Sequence, residues 1–300
     1  MATGQIRKAL SGFYYVYADQ QTFQTRGRGN FRKRGLTPLV GDYVRFESTN
    51  LNEGYVLELL PRKNQLVRPP VANIDQAVVV TSAVKPDFSS NLLDRFLITL
   101  EANSITPIIY LTKTDLLSPA RYQELQTTLA YYRQLGYPTL VAKEPYAKTS
   151  VAELTAHFSD KLTVFTGQSG AGKSTLLNHI SPDLNLKTAA VSESLSRGKH
   201  TTRHVELLPL FGGLVADTPG FSALNLTEIN LDELGRLFPE FMQAAPLCKF
   251  RECQHDKEPG CEVKRQVEAG TILKSRYENY LQFREEKKAE KPKYGKGGKY

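Results

Sequence analysis

No run of apolar residues in this chain approaches the ~18 that a membrane-crossing helix needs. The strongest candidates, such as residues 108–111, are strand-sized. The opening stretch, MATGQIRKALSGFYYVY, also lacks the continuous apolar segment of a secretory signal. The expectation is a cytoplasmic, monomeric protein with no membrane partner. Cysteine is scarce: three residues in 300. An odd number cannot close a disulfide set, which excludes a secreted disulfide scaffold. No internal repeat is present, which excludes a solenoid. The apolar content of 40% is enough for a sizeable core, and the length suits two or three domains. Charge is uneven. Residues 1–70 hold 11 basic and 5 acidic side chains, residues 281–300 hold 7 and 3, and the stretch between them is close to neutral. Two basic ends on a near-neutral middle suggest that the ends meet a polyanion.

Residues 1–68 read as an all-β module. Short β-rich runs at 12–17, 41–46 and 54–60 are separated by Gly, Asn and Asp turns. That spacing suits a small five-stranded OB-fold barrel, a fold that commonly binds nucleic acid. A basic loop, Arg26-Gly27-Arg28-Gly29-Asn30-Phe31-Arg32-Lys33-Arg34, lies between the first two runs. After Pro69-Pro70 the pattern alternates: strands are expected at 75–81, 107–111, 138–142 and 161–166, and helices at 92–102 and 119–135. Alternation of this kind predicts a mostly parallel sheet covered by helices over residues 69–225. Residues 226–300 hold all three cysteines, and 263–288 read as one long charged helix leading into a basic, disordered tail. The helix and tail, with the N-terminal module, suggest a two-handed RNA clamp.

Three motifs carry nucleotide chemistry. Gly167-Gln168-Ser169-Gly170-Ala171-Gly172-Lys173-Ser174 follows a strand ending at Thr166 and opens a helix at Thr175. Glycines let main-chain N–H groups turn inward around phosphate oxygens at the positive end of the helix. In that setting Lys173 reaches the β- and γ-phosphates and Ser174 ligates Mg²⁺. Asp217-Thr218-Pro219-Gly220 resembles the D-x-x-G element, whose Asp holds Mg²⁺ through water and whose Gly amide senses the γ-phosphate. Thr112-Lys113-Thr114-Asp115 resembles the [NT]-K-x-D element that selects guanine. A carboxylate accepts from both N1–H and the exocyclic amine of guanine, and adenine offers no such donor pair. The last two elements together disfavour an ATPase or kinase. The order is permuted, because the base element precedes the phosphate loop by some 54 residues. A permuted sheet still brings these loops to one edge, since termini of compact domains often lie close together.

A fourth pattern is Cys248-x₄-Cys253-x-His255-x₅-Cys261. Cys₃His is a structural zinc set, closed to substrate because all four positions are filled by protein. Other metals or an iron–sulfur centre stand as alternatives.

The OB-like module, the permuted T-K-x-D, phosphate-loop and D-T-P-G order and the Cys/His cluster together resemble the RsgA family of small ribosomal subunit biogenesis GTPases. The likeness spans nearly the whole chain. It implies a GTPase stimulated by the small ribosomal subunit and its rRNA, acting late in that subunit's maturation, with one bound zinc. By position in similar GTPases a switch threonine, Thr202 or alternatively Thr201, closes over Mg²⁺ and the γ-phosphate. Phe221 stands where many GTPases place a water-orienting Gln. The nearest candidate by sequence is His200, which is catalytic on this reading and simply exposed on the other. Of the Ser-Ala pair that often gives a second guanine contact, only Ala142 of Val141-Ala142-Lys143 fits. The competing class is a nucleotide-sensing, RNA-binding assembly chaperone with little intrinsic catalysis.

Overall fold

The computed structural model describes residues 1–29, 31, 35–67, 69–182, 205–217, 226 and 229–290. The chain divides into two compact units, Met1–Phe88 with Asn103–Ala223, and Ser89–Ala102 with Leu224–Tyr300.

The first unit begins with strands β1 (Ala2–Leu10), β2 (Phe13–Ala18), β3 (Gln21–Gly27), β4 (Tyr43–Asn50) and β5 (Glu53–Leu59). Their order is β1-β2-β3-β5-β4, and β4 returns to pair with β1, so the sheet closes into a five-stranded barrel. Alternation builds its core. In Tyr43-Val44-Arg45-Phe46 the valine and phenylalanine are buried while tyrosine and arginine face out, as period-2 side chains must. Ile6, Val16 and Val56 are likewise fully buried. A short pair, β6 (Gln65–Val67) and β7 (Pro70–Ala72), follows.

The rest of this unit is an α/β layer. Strand β8 (Gln76–Ser82) leads to helix α1 (Ser90–Ala102), which belongs to the second unit. Then come β9 (Thr106–Thr112), α2 (Pro119–Gln134), β10 (Thr139–Leu140), α3 (Lys148–Thr155), β11 (Leu162–Thr166), α4 (Lys173–Ile180), β12 (Glu206–Leu210) and β13 (Gly213–Asp217). The expected parallel sheet is present in the order β10-β9-β8-β11-β13, with β12 antiparallel at its end. Strand β11 is buried at every residue and β8 at all but one, the mark of a sheet covered on both faces. Helix α2 starts where chemistry allows: Pro119 opens its first turn and the Ser118 side chain accepts from the Arg121 N–H. One register pair, Lys8 with Glu206, joins the barrel to β12. Its 2.8 Å ion pair is half exposed and contributes little.

In the second unit α1 packs with α7 (Lys274–Ala289), and α6 (Glu262–Glu268) packs with both α7 and α5 (Pro239–Ala244). The single long helix expected over 263–288 is therefore two. The break falls at Gly270, whose φ of +75° suits glycine. Thr271 N–H then bonds the Gln266 carbonyl, closing α6 with a helix-ending turn. The core holds Ile98, Phe238, Phe241, Val263, Tyr280 and Phe283.

Within that core lies Arg276, 0% exposed. It donates to Asp94 at 2.6 Å and to Glu240 through two bonds, one of 3.0 Å. Asp94 also accepts from Asn279 at 2.7 Å. Removing the cation leaves two buried carboxylates facing each other. Arg276→Met is expected to destabilise this unit by about 3–5 kcal/mol. Denaturant unfolding monitored at Tyr280 and its neighbours checks this; a loss below 1 kcal/mol would show the carboxylates find other partners.

Candidate functional site

Four parallel strands, β9, β8, β11 and β13, end at one edge of the sheet, at Thr112, Ser82, Thr166 and Asp217. In open α/β sheets ligands bind beyond the carboxyl ends of such strands. The phosphate loop leaves β11 at Gly167 and enters α4 through Gly172, the N-cap. Both glycines are required. Gly167 has φ +136° and a Cβ there would lie 2.0 Å from the Val80 carbonyl oxygen. Gly172 has φ +94° and a Cβ there would lie 2.6 Å from the Tyr146 hydroxyl. Lys173 curls back so that its ammonium donates to the Gly167 and Gln168 carbonyls at 2.6 and 2.8 Å. Burial pushes its pKa down to about 8, a cost that phosphate charge reverses. Ser169 and Gly170 are exposed, Ala171 is buried, and Ser174 and Thr175 are partly exposed in the first turn of α4. The Thr166 hydroxyl is buried with no hydrogen-bond partner among the described residues.

The base element sits directly on this loop. Thr112 Oγ1 donates to the Ala171 carbonyl at 2.6 Å. Lys113, in left-handed conformation, donates its ammonium to the Gly170 carbonyl at 2.8 Å and to the Lys85 carbonyl. Thr114 and Asp115 start a 3-10 turn. The Thr114 hydroxyl bonds the Ala142 carbonyl at 2.6 Å, which brings the second candidate guanine loop alongside. Asp115 is exposed. Two segments 54 residues apart and in inverted order are thus hydrogen-bonded to one another, as the permuted reading required.

Asp217 ends β13, which runs parallel to β11 with Leu214 opposite Leu162. Its backbone therefore lies at the same edge as the phosphate loop. Gly220, Phe221, the switch residues His200, Thr201 and Thr202, and the basic-loop residues Arg32, Lys33 and Arg34 lie outside the described residues.

Two contributors carry no motif. Lys85 supplies a main-chain carbonyl, and Tyr146 lies over Gly172. Neither has a local signal. A carbonyl is common to every residue, and Tyr146 matters only through what it meets across the fold.

In the second unit the ligand atoms of Cys248, Cys253, His255 and Cys261 all lie within 4.8 Å of one another. His255 Nδ1 is 3.7 Å from Cys248 Sγ and 3.4 Å from Cys261 Sγ. With Zn–S of ~2.3 Å and Zn–N of ~2.0 Å, the N···S edge of a tetrahedron is about 3.5 Å. The four residues fit zinc. The donor chemistry agrees: burial pushes the Cys253 thiol up to about 12, raises Cys261 and lowers His255. Thiols so crowded become thiolates only beside a cation. The group is held from outside by the Tyr277 hydroxyl on the His255 carbonyl at 2.8 Å and by the Glu262 N–H on Cys248 Sγ at 3.3 Å, the kind of outer support that orients ligands.

Comparison with known proteins agrees with this geometry. The family model for the RsgA GTPase matches residues 59–227 and that for the RsgA N-terminal domain matches residues 3–56. The small ribosomal subunit biogenesis GTPase RsgA of Enterococcus faecalis is 64% identical over 293 residues, 98% of each chain. Its namesake from Latilactobacillus sakei is 58% identical over 99% of each. Among solved structures, YloQ, a circularly permuted GTPase, superposes with a TM-score of 0.83 at 48% identity, covering 98% of this chain and 97% of that one. YjeQ from Thermotoga maritima gives 0.83 at 33% identity, over 97% and 99%. With its base element bonded to its phosphate loop in permuted order and these relatives matching end to end, the chain belongs to the RsgA family and is a circularly permuted GTPase.

Proposed function

We propose that this GTPase assists late maturation of the small ribosomal subunit, binding its rRNA and turning over GTP faster when bound. The observation that carries the nucleotide half is the contact of Thr112 and Lys113 with Ala171 and Gly170, which sets a guanine reader beside a phosphate cradle. Asp115 reads the base. Thr112 and Lys113 hold that turn on the phosphate loop, while Thr114 ties it to the loop at Ala142. The main chain from Thr166 to Thr175 surrounds the phosphates, with Gly167, Gln168, Ser169, Gly170, Ala171 and Gly172 forming the loop. Lys173 neutralises the β- and γ-phosphates. Ser174 and Thr202 hold Mg²⁺, with Asp217 acting through water and the Gly220 amide sensing the γ-phosphate. Mg²⁺, when bound, offsets the charge that develops on the oxygens around the γ-phosphorus. His200 orients the attacking water, whose oxygen bonds to phosphorus as the bond to the GDP oxygen breaks. Cys248, Cys253, His255 and Cys261 hold one structural zinc. Residues 1–68 act as the RNA-binding barrel, 69–225 as the nucleotide domain and 226–300 as the zinc domain with its basic tail. The protein works as a cytoplasmic monomer.

The ribosomal half is supported by the names of the relatives and by the two basic ends. If those ends grip RNA phosphates, binding to small subunits weakens steeply with salt, because each neutralised phosphate releases counterions. Neutralising Arg32, Lys33 and Arg34 together is expected to lower the slope of log affinity against log salt by up to about 2–3. Co-sedimentation with small subunits across a salt series reads this directly. Binding indifferent to salt would count against RNA as the contact, and turnover equal with and without subunits would count against stimulation.

A further inference from the structure

We propose that Tyr146 is a positioning residue for guanine recognition, holding the base-reading turn in register with the phosphate loop. The proposal rests on the assignment of Asp115 to guanine. Three observations meet at this side chain. Its hydroxyl and the Thr112 hydroxyl crowd the same point, Thr112 Oγ1 lying 3.5 Å from where a Cβ on Gly172 would be. The Tyr146 oxygen lies 2.6 Å from that Cβ position, in the crease between loop and helix. Its ring stacks on His179 of α4, with centroids 5.0 Å apart and planes at 24°. His179 is fixed in turn, since its Nδ1–H donates to the Thr175 carbonyl at 2.8 Å.

The Thr112 hydroxyl proton goes to a carbonyl, that of Ala171 at 2.6 Å or of Thr81 at 3.2 Å. Toward the phenol Thr112 therefore has only lone pairs to offer, and on this proposal Tyr146 donates its own proton to Thr112 Oγ1. Burial raises the phenol pKa, against a lowering by Thr112, so the proton is kept.

Tyr146 can do this because its own segment is anchored. The Thr114 hydroxyl bonds the Ala142 carbonyl, Ser150 Oγ donates to the Glu144 carbonyl at 2.8 Å, and the Tyr110 hydroxyl donates to the Pro145 carbonyl. The segment from 142 to 146 is therefore pinned at three points around the base-reading turn. A shift of that turn would misalign Asp115, and misalignment costs most where two bonds must form at once.

The test compares GDP with IDP, which lacks the 2-amino group and so offers Asp115 one donor instead of two. Dissociation constants are measured by calorimetry with Mg²⁺ for wild type, Tyr146→Phe and His179→Ala. Tyr146→Phe keeps the ring and deletes the hydroxyl. It is expected to lose about tenfold in GDP affinity and about twofold in IDP affinity, as one positioning hydrogen bond allows. The GDP-over-IDP preference then shrinks about fivefold. His179→Ala removes only the exposed half of the stack and is expected to shrink the same preference about twofold. It carries the test if Tyr146→Phe folds poorly. Equal losses for both nucleotides, or none, would make Tyr146 a packing residue and overturn the proposal. A wild type with no preference for GDP over IDP would instead remove the Asp115 assignment and this inference with it.

Discussion

Asp115→Asn is expected to turn the nucleotide preference from GTP to XTP. On the proposed reading the carboxylate accepts two hydrogen bonds from guanine, at N1–H and the 2-amine, and both are charge-assisted. Such bonds are worth ~1.5–3 kcal/mol each, so losing the pair weakens GTP by about 10³-fold. Xanthine carries a carbonyl where guanine has the amine, and the new amide N–H can donate to it. Affinity for XTP therefore rises as that for GTP falls. The substitution leaves its surroundings intact. Asp115 is exposed, and its turn is closed by main-chain bonds from Leu116 to the Lys113 carbonyl and from Leu117 to the Thr114 carbonyl. Competition of the two triphosphates for the variant measures the switch. A variant that still prefers GTP would show that the base is read elsewhere.

Loss of the metal is expected to unfold much of the second unit and spare the first. The purified protein should carry about one zinc per chain, the content of a single tetrahedral site. Binding at structural zinc sites is worth ~10–16 kcal/mol and is in effect folding energy. Here the ligands are part of the core. His255 is 4% exposed, its ring lies 5.6 Å from Phe241, and Tyr277 and Cys261 pack in the same cluster. Cys253→Ser or His255→Ala should release the metal and raise amide exchange through residues 240–265 by orders of magnitude. GDP binding should stay within about threefold, because no residue of the phosphate loop or base element belongs to that unit. A metal-free protein with unchanged exchange there would show that apolar packing alone holds the unit. Wild type with no metal and three freely reactive thiols would dismiss the site altogether.

Much of this was legible in the residues because certain chemistry demands certain side chains at short, fixed spacing. Phosphate oxygens need main-chain N–H groups that turn inward, which needs glycine, and a lysine at the helix start; Gly167 to Ser174 states both. A tetrahedral metal needs four ligands in reach of one point, and 14 residues of loop supply them. Burial on two faces makes a strand apolar throughout, so β8 and β11 stand out. The barrel was recognisable as a type but not in detail. Strands β1 and β3 carry mixed, half-buried sequences, and closure depends on β4 returning to β1, which no local pattern announces. The long C-terminal helix failed for a related reason. Helical periodicity runs across Gly270, and the chain turns there because Gly270 goes left-handed and Ile272 packs into the core.

From the sequence alone came the inventory of candidate groups and their permuted order, since local spacing encodes local geometry. Tertiary structure alone decided which distant groups share a site. Thr112 meets Ala171, Tyr146 meets Gly172, Thr114 meets Ala142, and Arg276 meets Asp94 from 182 positions away. It also assigned the helix at Ser90–Ala102 to the unit that holds the metal ligands rather than to its neighbours in sequence. The physical reason is one of range. Helix and strand periods and turn chemistry act over a few residues, whereas a buried ion network or a base reader on a phosphate loop depends on strand order and register. Those are set by burial of the whole chain at once, and each amphipathic segment is compatible with many partners until the others are in place.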